Sequence, residues 1–163
     1  MKYLMNNSII SKSFLFLFLI GFVLSGCSVK LVADHDSKTY EEILRVGKLV
    51  DEFYGSLLEV PAANRQYENY SDQYVELESE LRSLYIRNKS RPLNDESTKI
   101  SASILRLWVK YKGKHKAKNS YKNGNAKLDR NRFVRLFISA ASAELAKKLD
   151  PDDADASKES KSN

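Results

Sequence analysis

The stretch Tyr67-Glu-Asn-Tyr-Ser-Asp-Gln-Tyr-Val-Glu-Leu-Glu-Ser-Glu-Leu-Arg-Ser-Leu84 decides the fold. Tyr67, Tyr70, Tyr74, Leu77, Leu81 and Leu84 follow one another at intervals of 3, 4, 3, 4 and 3 residues. That alternation draws an apolar seam along one side of a helix for more than two heptads. Asp72, Glu76, Glu80 and Arg87 fall on the other side and face solvent. Tyrosines in such a seam bury their rings and leave the hydroxyl to find a partner. The helix should stop at 88–90, ahead of Pro92.

A second amphipathic stripe lies upstream: Tyr40, Ile43, Leu44, Val50, Phe53, Tyr54, Leu57 and Leu58, with Gly47 in line. Thr39-Tyr-Glu-Glu42 has the form of a capping box that opens this helix near 37–39. Val60-Pro61 closes it, since proline lacks the amide and restricts the residue before it. Downstream, Asn94-Asp-Glu-Ser97 starts a third helix, with acids at the positive end of its dipole. Its stripe is Ile100, Ile104, Leu107 and Tyr111, widened by Leu105 and Trp108. It ends at Gly113 or runs on to about Ala117 at a glycine cost of about 1 kcal/mol.

Residues 118–127 read as a loop, with Asn123-Gly124 as the turn. A fourth helix is expected over 128–149 through Phe133, Leu136, Phe137, Ala140, Ala141, Glu144 and Leu145, ended by Pro151. Ala140, Ala141 and Ala143 leave room for a neighbouring helix to come close. Residues 150–163 carry almost no large apolar group and read as a disordered tail. Four such helices joined by short links, with no period-2 pattern, predict an all-α, antiparallel up-down four-helix bundle over 37–149. A dimer through the second helix is the alternative, but a single domain must bury all four stripes.

The first 26 residues are different in kind. Lys2 and Lys12 precede the uncharged run Phe14-Leu-Phe-Leu-Phe-Leu-Ile-Gly-Phe-Val-Leu24, and Ser25-Gly26-Cys27 follows. A basic start, a short apolar core and a small-residue exit describe a secretory signal. The run is about half of the roughly 20 residues a membrane span needs. Leu24-Ser25-Gly26-Cys27 resembles the lipobox of bacterial lipoproteins. The resemblance implies a diacylglyceryl group on the Cys27 thiol, cleavage after residue 26, and usually acylation of the new amino group. The mature product would begin at Cys27, the only cysteine of the 163 residues. The lone cysteine excludes an intramolecular disulfide and a zinc site of several cysteines. Ser28, where an aspartate would hold the protein at the inner membrane, implies an outer-membrane lipoprotein facing the periplasm if the source is Gram-negative. Otherwise the anchor would lie in the plasma membrane. Lys30-Leu-Val-Ala-Asp34, Arg91-Pro-Leu-Asn-Asp-Glu-Ser97 and Leu107-Trp-Val-Lys-Tyr-Lys112 resemble small helical lipoproteins of Gram-negative bacteria, which brings no catalytic residue. Residues 27–36 read as a lipidated tether, with Asp34-His35-Asp36 a solvated linker rather than a metal site.

Net charge is +6, but its distribution is uneven. Residues 27–105 hold 10 basic and 14 acidic side chains, and residues 136–163 hold 4 and 6. Between them, residues 106–135 hold 11 basic and 1 acidic. The basic set is Arg106, Lys110, Lys112, Lys114, Lys116, Lys118, Lys122, Lys127, Arg130, Arg132 and Arg135. It is the candidate anion-binding segment, for anionic lipid, lipopolysaccharide, cell-wall polymer or an acidic protein. An exported lipoprotein does not ordinarily serve nucleic acid, despite the interleaved Trp108, Tyr111 and Tyr121. No nucleophile elbow, phosphate loop or paired-histidine motif is present, and His115 reads as an exposed polar residue. The expected function is a lipid-anchored binding or scaffold module with no metal and no cofactor beyond the lipid on Cys27. The rival is an envelope hydrolase with an unrecognised site.

Overall fold

The computed structural model describes residues 31–148. The signal segment, Cys27 with the first part of the tether, and the tail at 150–163 lie outside the described residues. Four helices account for most of the rest: α1 Ser37–Glu59, α2 Ser71–Lys89, α3 Asp95–Lys118 and α4 Asn123–Ala146. No strand occurs among the described residues, and no helix there is long and apolar enough to cross a membrane. Each helix packs on its neighbours in chain order, and α4 returns to α1, so the four close a ring. The α1 N-terminus, α2–α3 link and α4 C-terminus share one end; the α1–α2 and α3–α4 links share the other. This is the up-down four-helix bundle that the four stripes predict.

The seam of α2 turns inward as its spacing requires: Tyr67, Tyr70, Tyr74, Leu77, Leu81 and Leu84 are all buried. Regular α-helix begins only at Ser71, however, because Tyr67–Tyr70 forms a 3₁₀ turn. The Tyr67 amide there donates to Asn119 Oδ1 at 2.8 Å, a tertiary bond that replaces an intrahelical one. Trp108 lies at the centre of the core with no exposed surface. Phe53 from α1, Tyr74 from α2 and Phe133 from α4 surround it at centroid distances of 5.1, 5.1 and 5.8 Å.

The ends differ from the sequence expectations at the α1 cap and the α4 start, and α3 takes the longer of its two expected ends. Asp36, not Thr39, caps α1: its carboxylate accepts from the Lys38 amide at 3.1 Å and from Thr39 Oγ1 at 2.6 Å. Glu42 is then free to pair with Arg45. The third helix passes through Gly113, where a side chain would meet open space, and stops at Asn119. Asn119 adopts the left-handed conformation, φ 46°, which asparagine tolerates better than most residues. The link to α4 is therefore only residues 119–122, and Asn123-Gly124 sits in the first turn of α4 rather than in a loop. Burial of Tyr121 and Ala126 outweighs the local turn preference.

Residues 33–36 are not a free linker either. Ala33 is buried and its amide donates to Leu93 O at 2.9 Å. Glu144 holds this strap down from α4. Its fully buried carboxylate accepts from the Asp36 amide at 2.8 Å, Arg91 Nη1 at 3.1 Å and Lys147 Nζ at 2.5 Å. His35 Nδ1 donates to Glu144 O at 2.9 Å, since a carbonyl can only accept. Arg91 also donates to Asp34 O. Burial pushes the Glu144 carboxyl up, but Lys147, the Asp36 amide and Arg91 outweigh it and hold it below the usual range.

Two substitutions test this packing. Glu144→Gln removes the charge between Arg91 and Lys147 and should cost about 3 kcal/mol, with faster amide exchange at Ala33 and Asp36 than in α2. Unchanged exchange there would show that the strap is held by something else. At Gly47, a Cβ would meet Phe137 Cγ at 3.0 Å across the α1–α4 contact. Gly47→Ala should therefore lower the urea midpoint, by about 1 kcal/mol net of the gain in helix propensity.

Candidate anion-binding face

The helical period sorts the eleven basic residues into separate groups. Ile104, Trp108, Tyr111 and His115 fix the inward face of α3. Arg106 and Lys110 lie on the opposite side, with Val109 exposed on the α2 side of Arg106. Their nearest basic neighbour on α2 is Arg82, which the charge count places in the acidic part of the chain. Arg82, Tyr85, Ala102, Leu105, Arg106 and Val109 line a shallow hollow of about 300 Å³ between α2 and α3. A second hollow of about 270 Å³, between α3 and α4, is lined by Leu107, Arg132, Arg135, Leu136 and Ser139. Both have an apolar floor and an arginine rim.

The remaining cations do not join one site. Arg130 points away from α3 and makes a two-bond pair with Asp51 of α1, both contacts at 2.6 Å. That pair lowers the Asp51 carboxyl below its ordinary range, through the hydrogen bonds from Arg130. Lys112 is drawn to Glu78 at 3.1 Å, beside Arg82 on the same carboxylate at 3.0 Å. Burial alone would raise Glu78, but the bonds from Lys112 and Arg82 prevail and lower it. Arg132 donates to Tyr111 Oη at 2.7 Å and Asp129 at 3.1 Å. Lys116 lies 5.7 Å from the centre of the Tyr67 ring, and Lys114 at the same distance from Tyr111. Lys118, Lys122 and Lys127 are exposed at the end of the bundle opposite the strap. Among the described residues, Arg106, Lys110 and Arg135 make no ion pair; Arg106 donates only to Ser103 Oγ at 3.0 Å.

His115 is a correction. It is 1% exposed and belongs to the core. Its Nε2 lies 2.9 Å from Arg65 O and its Nδ1 3.0 Å from Tyr74 Oη. The carbonyl can only accept, so Nε2 carries the proton and Nδ1 accepts from the tyrosine hydroxyl. Burial lowers the His115 pKa, against smaller opposing effects from Arg65 O and Glu68. The spacing of 4 from Tyr111 continues the α3 stripe and was the signal for this burial. Arg65, also 2% exposed, donates to Val60 O at 2.7 Å, Tyr121 O at 3.0 Å and Leu58 O at 3.2 Å. It satisfies the last carbonyls of α1 and ties the two links together. Nothing in local sequence pattern marks it, because its partners are backbone oxygens of distant segments.

No group of three or more His, Cys, Asp or Glu among the described residues is placed to hold a metal. No protein-family model matches the chain, and neither does any curated protein or solved structure. The chemistry of the site thus rests on its own residues: guanidinium forks over apolar floors, suited to anionic groups carried on apolar bodies.

His115 supplies a pH test of the core. Its folded pKa lies below the unfolded value of about 6.5, so the unfolded chain binds more protons as pH falls. Its contribution is present above pH of about 6.5 and declines as pH drops towards the folded pKa. Urea unfolding between pH about 7 and 5 should show this loss, and His115→Gln should flatten the slope. An equal slope in the variant would assign it to another group.

Proposed function

We propose that the chain is a lipid-anchored helical module facing the periplasm, which binds an anionic envelope partner through the face around α3. Acyl chains on Cys27 would hold it to the outer membrane of a Gram-negative source, consistent with Ser28, or to the plasma membrane otherwise. The anchor reading is supported by Leu24-Ser25-Gly26-Cys27 at the exit of an eleven-residue apolar run. A single acyl chain is a marginal anchor, at about 0.8 kcal/mol per buried CH₂, whereas two or three make attachment long-lived.

The observation that carries the binding part is an unneutralised arginine at each of the two hollows, with Lys110 exposed on the helix between them. Arg106, Lys110 and Arg135 are turned to solvent with no carboxylate partner among the described residues, although the protein elsewhere pairs Arg130, Lys112 and Arg45 with acids. A cationic face over an apolar floor is suited to lipid phosphate, lipopolysaccharide phosphate, an anionic wall polymer or an acidic protein. The module reading needs no metal and no cofactor other than the covalent lipid.

Growth with an alkyne analogue of palmitate should label the native protein, and Cys27→Ala should abolish the label and leave the longer, uncleaved chain. Labelling that survives Cys27→Ala, or a native protein that carries none, would remove the anchor reading.

A further inference from the structure

The strap fixes where the anchored end leaves the bundle. Only five residues lie between Cys27 and Ala33, a reach over six steps of at most about 21 Å. Ala33 is bound to Leu93, which lies two residues ahead of α3. A lipid on Cys27 would therefore lie within that reach of the end of the bundle that holds the α2–α3 link, and the 24-residue α3 extends about 36 Å from there.

The side of the bundle that α3 shares with α2 has the composition of a surface that rests in a headgroup layer. Val75 and Ile86 of α2 and Val109 of α3 are 60%, 57% and 45% exposed. Arg82, Lys89 and Arg106 are exposed on the same side, and Lys110 lies at its outer edge, beyond Arg106. Of the acids on this side, Glu78 is already neutralised by Arg82 and Lys112, and the exposed Asp72 and Asp95 lie towards its two ends. Leu93 and Val32, 53% and 55% exposed, extend the apolar surface at the tethered end. By contrast, the side that α1 shares with α2 alternates charge, with Arg45 between Glu42 and Glu80 and Lys48 paired to Glu52.

We infer that the α2–α3 side lies along an anionic phospholipid bilayer, with Val75, Ile86 and Val109 at the headgroup boundary and Arg82, Arg106 and Lys110 on lipid phosphates. The inference rests on the anchor reading, which brings the tethered end of the bundle to the bilayer; charge and exposed aliphatic side chains then select the side. Charge complementarity and the site of chain exit select the occupant. Basic side chains close to an anionic surface attract it within about a Debye length, and exposed aliphatic residues add burial. The lysines at 118, 122 and 127 then lie at the end of the bundle away from the tether.

The test uses the full chain, processed and acylated at Cys27, on vesicles of phosphatidylcholine alone or with about a third phosphatidylglycerol. A polarity-sensitive fluorophore is attached at Val109→Cys or, separately, at Lys48→Cys on α1. Cosedimentation with the neutral vesicles reports the anchor; the spectral shift on the anionic vesicles reports the face. The expected result is a blue shift at residue 109 on anionic vesicles only, reversed by high salt, with residue 48 remaining in water. Arg82→Gln, Arg106→Gln and Lys110→Gln combined should abolish the shift while cosedimentation persists. Persistence of the shift in that variant, no shift at 109 on anionic vesicles, or equal shifts at 109 and 48 would overturn the inference. A shift at 109 with polyglutamate but not with anionic vesicles would give the face to an acidic protein and overturn it equally. Loss of cosedimentation with neutral vesicles would instead count against the anchor.

Discussion

All four helices meet at Trp108. Phe53 and Tyr54 reach it from α1, Tyr74 from α2 and Phe133 from α4, with centroid separations of 5.1, 6.3, 5.1 and 5.8 Å. Its indole nitrogen donates to Tyr74 O at 3.2 Å, so even the polar atom of the core points at a neighbouring helix. Close-packed aromatic rings tolerate few alternative arrangements. With Trp108 placed, the rotation of α3 is set, and with it the direction of every other side chain on that helix.

The two ends solve a different problem, that of helix termini and links with unpaired backbone groups. At one end Arg65 supplies three donors to three carbonyls, two from the end of α1 and one from the α3–α4 link. At the other, Glu144 supplies acceptors to a backbone amide and two cations. Each is a buried charge whose desolvation is offset by several short charge-assisted bonds. Each also joins segments more than 50 residues apart in sequence. They convert four packed helices into a bundle whose links and N-terminal strap have fixed positions.

This division explains what the sequence made legible. Periodicity located α2 and the inward faces of α1 and α3, because repeated burial leaves a repeated pattern. The 3, 4, 3, 4, 3 seam became buried at every position. The start of α4 was misplaced by five residues, since Asn123-Gly124 carries a turn preference that burial of Tyr121 and Ala126 overrides. His115 was misjudged although it extends the α3 stripe, because lysines on both sides of it suggested a solvated segment. Arg65, the Glu144 junction and the docking of residues 33–36 have no local signature: their partners lie far along the chain. The charge count likewise found the cations but not their grouping, and it left out Arg82.

The grouping follows from the core rather than from the number of lysines. Alternation at 110, 112, 114, 116 and 118 turns each successive lysine by about 200° around the axis, so the row cannot share one face. Because Ile104, Trp108, Tyr111 and His115 point inward, Arg106 and Lys110 are forced outward, Lys112 falls towards Glu78, and Lys116 falls over Tyr67. A change that rotated α3 to present another lysine would have to unseat Trp108 from all three neighbours. The backbone positions of the cationic residues are thus set by the core behind them. At the start of α3 the bond from the Ala33 amide to Leu93 O ties the strap to the α2–α3 link, so the helix that Trp108 orients is also the one beside which the strap docks.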